Sequence, residues 1–500
     1  MPPPPLGSEA PRRLAPRALR ARVPEIGAVV AALLVRAIVM WLYAPAVNQY
    51  YDAVRFARAG ATDFFADYWT PVGYASFLAA LRPLSSELAF TIGVQHALGI
   101  AGGFLLAGAA KSLGVPRPWH LLAGVFLWFG GDFLYFEHVL MSETLFIFTI
   151  ALTVYLACRG LAAPPDNLRW FVLAGLAAGA TTLVRWNGLF LLAVPVLLVL
   201  SRHGRSWPSR AKAAVLSVAP CLVLLGGYLV VSSAAGYSGT SDMNGWLLYS
   251  RVAPFLDCAQ TSVDDEHPEL CEVAPPGARF GPLYYSWQPE SPARALFGLG
   301  PEPNDYLLRL GLDTIRHEPV AYARAVAHDV IRLFAWSHRR GAGHGQMVEV
   351  YDFSYRDESV ETMIEQALDT RYDGVSVRQH DWSWLLHDLQ MATRARGWMM
   401  LVLTAMGAAV VLVSPRGRRA GPLVVLAVVG GLWALPILSF TWDFRYALPG
   451  TALLPLGAVL LVPALSARRA RAKEVDGLVG EEGDLEGHER GAVAHAPPVG

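Results

Sequence analysis

The stretch NQYYDAVRFARAGATDFFADYWTPVGYASFLAAL, residues 48–81, begins where the first long apolar run of the chain ends. It gathers Asp52, Asp63 and Asp67 with Arg55 and Arg58 among Phe, Tyr and Trp side chains. The run before it decides how it is read. Residues 26–46 are apolar over about 20 positions, the length a helix needs to cross the hydrocarbon core of a bilayer. The same kind of window recurs at 89–110, 120–136, 139–157, 170–186, 188–201, 213–235, 397–414, 422–441 and 446–465, with the third and sixth of the ten the shortest. Runs this long satisfy their backbone in lipid as helices. The expected fold class is therefore an all-α polytopic membrane protein with about ten transmembrane helices.

Composition agrees. Of 500 residues, 54% are hydrophobic and only 16% charged, and the mean hydropathy is +0.35. A soluble chain of this size needs more surface charge. Lys+Arg and Asp+Glu both number 41, so no basic excess points to a nucleic-acid partner.

Orientation follows from the basic residues of the short loops. Arg12, Arg13, Arg17, Arg20 and Arg22 precede the first window. Lys111 and Arg117, then Arg159 and Arg169, then Arg202, Arg205, Arg210 and Lys212 follow at every second connection. Arg416, Arg418 and Arg419 come later, and Arg468, Arg469, Arg471 and Lys473 close the series. If the ten windows alternate, all these clusters fall on one side. Both termini are then cytoplasmic, in the cytoplasmic (cell) membrane, and residues 48–88 and about 236–396 lie outside. Residues 1–24 and 469–500 read as disordered cytoplasmic tails. Residues 25–235 form a seven-helix core with a first outer loop at 47–88. Residues 236–396 form an extracytoplasmic region, and 397–468 hold three C-terminal helices. The first apolar run lacks a small-residue cleavage site and reads as a retained helix rather than a signal peptide.

The region 236–396 carries 23 of the 41 acids and 14 arginines but no lysine, so it is built to face water. NDYLLRLGLDTIRHEPVAYARAVAHDVIRLFAW (304–336), ESVETMIEQAL and DWSWLLHDLQMATRAR have apolar residues at helical spacing, which makes this region mostly helical. Cys258 and Cys271 lie in it, separated by a loop of 12 residues; in an oxidising compartment a disulfide is expected. Cys158 and Cys221 lie at or in apolar windows and read as packing residues. No short internal repeat is present.

On a helix, Asp52, Arg55 and Phe56 share one face, one turn apart. The plain reading is an intrahelical ion pair. The sharper one makes the carboxylate a general base towards an acceptor hydroxyl or amine and the guanidinium a fork for a leaving phosphate. Those are the groups that sugar transfer from a lipid phosphate needs.

With YYDAVRFARAG and YWTPVGYASFLAAL, the opening stretch resembles the first outer loop of polytopic GT-C glycosyltransferases, which include the protein O-mannosyltransferases and the bacterial aminoarabinose transferases. HVLMSETLFIF (138–148), TTLVRWNGLFLL (181–192) and DFRYALPGTALLPL (443–456) are similar to further segments of that group, in order. The resemblance implies a GT-C-type helical bundle and an enzyme that moves a sugar from a polyprenyl-phosphate donor to an extracytoplasmic acceptor: a protein hydroxyl, a glycan or a lipid. It implies that Asp52 is the catalytic acid of the first loop, that Arg55 contacts the donor phosphate, and that Glu143 orients acceptor or sugar. Direct displacement would invert the anomeric carbon. The chain departs from many members in having Ala53 where a second acid stands, unless Asp63 or Asp67 takes that role.

Arg185 and Arg445 fall at outer helix ends, where they either snorkel to water or bind the donor phosphate. Tyr51, Asp67, His138 and Tyr446 complete the candidate substrate contacts, with Asp443 and Trp442 beside Arg445. Glu137 and His138 also read as a plain solvated turn between the third and fourth windows. Asp132 and Arg36 lie inside windows, where a charge is expensive unless it is paired or faces a wet cavity. His317, His328, His338 and His344 lack acids or cysteines at ligand spacing, so no metal is assigned. No cofactor is expected, although some members of the group use a divalent cation. Two other classes stay open: a transporter or flippase of a lipid-linked sugar, and a scaffold with an inactive core. The transporter reading lacks repeated halves.

Overall fold

The computed structural model describes residues 23–470 apart from 62–63, 66, 68, 165–166, 202–205, 238–242, 262–266, 273, 276–277, 336–350 and 416–417. Asp63, His338, His344 and all but the two innermost residues of each expected tail lie outside the described residues.

Helix α1, Val23–Leu42, is a 20-residue span whose charged residues are Glu25 and Arg36. The short strand β1, Tyr43–Ala44, follows. The expected first outer loop is mostly helical: α2 is Asp52–Ala61 and α3 is Gly73–Leu81. α2 buries Ala53, Phe56, Ala57 and Ala59, an apolar stripe at helical spacing. Phe56 meets Tyr74 of α3 edge to face, 4.8 Å between centroids. Then come α4 (Leu88–Ser112), a 3-10 turn at Trp119–Gly124, α5 (Val125–Phe129), α6 (Gly131–Glu137), α7 (Glu143–Ala162) and α8 (Arg169–Val184). A 3-10 segment at Trp186–Leu192 leads into α9 (Ala193–Leu200) and α10 (Trp207–Ala234).

Among the described residues, seven stretches are long and apolar enough to cross a bilayer: α1, α4, α7, α10, Trp384–Val413, Ala420–Ser439 and Phe444–Ala470. Trp119–Phe129, Arg169–Val184 and Trp186–Leu200 are shorter apolar helices at the remaining expected windows. The chain is a multi-pass, all-helical membrane protein. The third window is not one helix, because Gly130 is extended (ψ 120°) and separates α5 from α6. A Cβ on Gly131 would strike the backbone of Gln390, so the chain passes there only as glycine. Small residues bring other helices together, as where Gly175 of α8 packs on the Ser217 carbonyl of α10.

After α10 come α11 (Asn244–Val252), α12 (Pro282–Trp287), α13 (Pro292–Phe297), α14 (Asn304–His317), α15 (Pro319–Leu333), α16 (Glu358–Asp369) and the strand β2 (Arg378–Gln379), and then α17 (Trp384–Thr393), which opens the next span. Trp246, Tyr249, Leu256, Tyr285 and Leu307 form a core of their own here, against which Trp69 of the opening stretch packs. Cys258 and Cys271 are joined in a disulfide, whereas Cys158 and Cys221 are buried free thiols. Strand β2 pairs antiparallel with β1. The bundle ends with α18 (Gly397–Val413), α19 (Ala420–Ser439), α20 (Phe444–Thr451) and α21 (Leu454–Val459).

The charges inside the windows are paired. Arg36 grips Glu137 through Nε to Oε2 at 3.0 Å and Nη2 to Oε1 at 2.8 Å, and also donates to the carbonyls of Leu127 and Trp128. Glu137 and His138 therefore do not form a solvated turn; they are 2% and 0% exposed. Asp132 is buried and accepts from Gln390 Nε2 at 3.0 Å and Arg394 Nε at 2.8 Å.

Candidate active site

Asp52 opens α2, where the free N–H groups of a helix start favour a carboxylate. Its Oδ1 accepts from Arg55 Nη2 at 3.0 Å, and its Oδ2 from Arg445 Nη2 at 2.9 Å. Arg55 reaches back with Nη1 to Asp67 and, at 3.3 Å, to Thr70 Oγ1. Arg445 stands at the start of α20, where Asp443 caps the helix by accepting from the Arg445 backbone N–H at 2.8 Å. With its place fixed, Arg445 donates through Nε to Glu143 Oε1, which also accepts from Arg185 Nη1 at 2.6 Å.

The result is an alternating row: Asp67, Arg55, Asp52, Arg445, Glu143, Arg185. Burial sorts its members. The side chains of Glu143 and Asp67 are 0% and 4% exposed, whereas those of Asp52 and Arg55 are about a quarter exposed. The hidden carboxylates thus fix the guanidiniums from behind. Asp52 and the three arginines face a cavity of about 150 Å³. Its other surfaces come from Trp69, Thr70, Trp186 and Asn187, from Asn244, Leu247 and Trp287 beyond α10, and from α19 and Tyr446.

The row sets the acid's protonation. Burial pushes the Asp52 pKa up, but Arg55 and then Arg445 outweigh it and hold the carboxyl well below its usual range. Burial likewise works against the charge on Arg55, and Asp52 and Asp67 reverse it, so its pKa is raised. Asp52 is an anion at any ordinary pH.

The structure brings Asp52, Arg55, Asp67, Glu143, Arg185, Arg445 and Tyr446 together, with the Tyr446 ring 5.9 Å and 6.0 Å from the Arg185 and Arg445 guanidinium carbons. It does not bring Tyr51 or His138. Tyr51 is 65% exposed and off the cavity lining; its carbonyl only starts α2 by accepting from the Val54 and Arg55 N–H groups. His138 is buried in the bundle, between His96 and the Tyr43 carbonyl. Asp67 is no second acid beside Asp52, because Arg55, Thr70 and the Trp69 N–H occupy it. Among the described residues no group of three or more His, Cys, Asp or Glu is placed to hold a metal. Trp69, Trp186 and Asn187 lie within residues 48–81 and 181–192, where no spacing rule marks them as site residues. Asn244 and Trp287 carried no sequence signal at all.

Fold and site together define a multi-pass helical membrane protein with a charged cavity at one end of its bundle. No protein-family model matches the chain, and no curated protein matches it significantly. Among solved structures, it is similar to the protein O-mannosyltransferase Pmt1–Pmt2 complex of S. cerevisiae bound to the sugar donor, at 15% identity and a TM-score of 0.35, over 46% of this chain and 36% of that one. It is also similar to the archaeal oligosaccharyltransferase AglB from Archaeoglobus fulgidus, in complex with an inhibitory peptide and a dolichol-phosphate, at 13% identity and a TM-score of 0.40, over 95% of this chain and 53% of that one. The chain thus spans well under two thirds of either protein's length.

Proposed function

We propose that the chain is a membrane glycosyltransferase that moves a sugar from a polyprenyl-phosphate donor to an acceptor on the outer face of the cell membrane, with both termini cytoplasmic. The observation that carries this reading is a single carboxylate, Asp52, held between Arg55 and Arg445 at a cavity that Arg185 also lines. Three guanidiniums around one small cavity suit a phosphate, and the cavity's place at a helix-bundle end lets a lipid tail stay among the helices. The resemblance of the four quoted stretches supports it. So does the disulfide in the region assigned to the outside.

In this mechanism the acceptor oxygen attacks the anomeric carbon as Asp52 takes its proton. The bond from that carbon to the phosphate oxygen breaks, and the phosphate leaves with the electron pair. Arg55, Arg445 and Arg185 meet the growing charge. A phosphate leaves without prior protonation, so one carboxylate suffices, unlike the two of most glycoside hydrolases. In-line displacement inverts the carbon. Ala53 in place of a second acid is compatible with this.

The test incubates purified protein with labelled polyprenyl-phosphate sugars and compares it with Asp52→Asn. Sugar release falls by about 10²–10⁴-fold in the variant while folding is kept, the usual contribution of a positioned base. Equal turnover by the two proteins removes Asp52 from the mechanism. Movement of the donor across vesicles without sugar release assigns the chain to the transporters instead.

A further inference from the structure

Helix α15, Pro319–Leu333, is turned the opposite way from an amphipathic helix that faces water. Its charged side chains Asp329 and Arg332 point into the protein and are 3% and 7% exposed. Asp329 pairs with Arg251 of α11 and accepts from the Trp442 backbone N–H at 3.1 Å. The Arg332 guanidinium lies over the Trp442 ring, 4.8 Å from its centroid. The apolar side chains point out. Val320, Ala323, Ala327, Val330 and Ile331 fall within about 100° of one another around the helix axis, and all five are exposed. Val320 and Ile331 are 68% and 70% exposed. Water penalises such a stripe. A helix of the region expected to face water thus turns its oily side outward.

We propose that α15 lies in the interface of the bilayer, its apolar stripe seated among the headgroups and upper acyl chains of the lipids. The proposal goes beyond the transferase reading and does not depend on it. Three observations name lipid as the occupant. The first is position. Tyr322 O–H donates to the Leu438 carbonyl, at the end of the span α19, at 2.9 Å. A Cβ on Gly397, which starts α18, would lie 2.2 Å from the Ala335 carbonyl oxygen, just beyond α15. The helix is therefore pinned across the ends of two spans. The second is continuity. Span α19 carries an exposed stripe along its length, Leu423, Ala427, Gly430, Ala434 and Leu438, and on an apolar span that is the side that meets lipid. The stripe ends at Leu438, the residue that holds Tyr322, so the lipid-facing surface of α19 runs on to α15. The third is the chemistry at that level. Trp398, 44% exposed, follows Gly397, and Trp favours the headgroup layer. Arg324 is exposed beside the apolar stripe, where its stem can lie on apolar surface while the guanidinium reaches lipid phosphates. An apolar stripe edged by a cation is the pattern of an interfacial helix. Because Asp329 and Arg332 hold Trp442, this lipid seat is joined to the turn that leads to Arg445.

The experiment measures the depth of α15 in the full chain, held in nanodiscs of phosphatidylcholine and phosphatidylglycerol. A nitroxide label is placed at Val320→Cys or Ile331→Cys, with Cys158→Ala and Cys221→Ala removing the free thiols. Collisions with oxygen, which concentrates in lipid, are compared with collisions with a water-soluble nickel chelate. Both labels should lie about 5–10 Å inside the headgroup boundary. A label at Glu358→Cys, exposed at the start of α16, should lie in water. The unaltered chain gives a second measurement. Lipids with a photoactivated diazirine near the glycerol end of an acyl chain should label the peptide holding α15 and spare the one holding α16. Labels at 320 and 331 that meet the chelate as freely as the one at 358 overturn the proposal. So does protection from both oxygen and chelate, which means that a second copy or another protein surface covers the stripe. Absence of the diazirine adduct from the α15 peptide overturns it as well. None of these results touches the transferase reading, which Asp52→Asn tests separately.

Discussion

At the scale of the residue, the same contacts that place Asp52 make it a weak base. Both its oxygens are engaged, by Arg55 and Arg445, and its pKa lies well below the usual range. In the proposed mechanism a donor phosphate competes for those guanidiniums; once they turn to it, the carboxylate regains basicity where the acceptor needs it. The sign is clear. A depressed native pKa gives stability that is present above the unfolded value, near 3.8, and lost only as pH falls through the native value. The free enzyme therefore keeps Asp52 ionised, and kcat/KM, which reports the free enzyme, should show no acid limb from it between about pH 5 and 8. A limb in that window that disappears in Asp52→Asn would contradict the assignment. Arg445→Ala should lower kcat/KM by about 10²–10³-fold and bring an acid limb upward in pH, because one of the two depressing charges is gone. Arg445→Lys should not restore activity, since an ammonium lacks the fork that reaches Asp52 and Glu143 at once. The pH–rate profiles of the three proteins check this. How legible the residues were depends on distance along the chain. Asp52 and Arg55 sit one helical turn apart, and spacing alone pairs them. Arg445 and Glu143 are 302 positions apart, and no local rule joins them; only the motif resemblance pointed to both.

At the scale of the element, the site depends on how closely α3 approaches the end of α8. A Cβ on Gly73 would lie 2.5 Å from the Leu183 carbonyl, two residues before Arg185. Nothing flexible can give way there, because the clash is with backbone. Gly73→Ala should therefore push α3 off α8 and move Arg185 relative to Arg445. A cost of about 1–3 kcal/mol is expected, together with at least a 10-fold loss of sugar release, about what 1.4 kcal/mol at the transition state produces. Gly93→Ala is the control. It sits within α4 with nothing near its missing Cβ, and alanine there should be neutral or stabilise by up to about 1 kcal/mol. Thermal unfolding and turnover of the two variants separate a close-approach glycine from an incidental one. The elements also show where sequence reading stops. Apolar length located the ten windows, because lipid imposes length and composition on any span. It did not reveal the break at Gly130, since α5 and α6 remain apolar on both sides of it. The amphipathic spacing of α2 was visible, but α2 and α3 were expected as parts of a loop.

At the scale of the whole molecule, one buried cluster ties the bundle to the part assigned to the outside. Arg36 of α1 holds Glu137 of α6, whose Oε2 also meets His96 Nδ1 of α4 at 2.8 Å. His96 Nε2 lies 3.1 Å from His138 Nδ1, and His138 Nε2 is 2.6 Å from the carbonyl of Tyr43, in the strand that pairs with Arg378–Gln379. A carbonyl only accepts, so His138 Nε2 carries a hydrogen; burial lowers the His138 pKa and keeps the ring neutral, so its Nδ1 accepts from His96 Nε2. His96 Nδ1 then faces a carboxylate oxygen, and a hydrogen must lie between them. Either His96 is an imidazolium or Glu137 keeps its proton, and with Arg36 the cluster holds one net positive charge. Arg36→Met removes both donors to Glu137 and leaves the buried Leu127 and Trp128 carbonyls without theirs, which should cost about 3–5 kcal/mol. Adding Glu137→Gln should return part of that loss. The amide nitrogen then donates to His96 Nδ1, the chain of hydrogen bonds closes with every group neutral, and the buried charge is gone. Thermal unfolding in detergent decides it: a single variant as stable as the parent, or a double variant no better than the single, would show that the cluster does not hold the helices together.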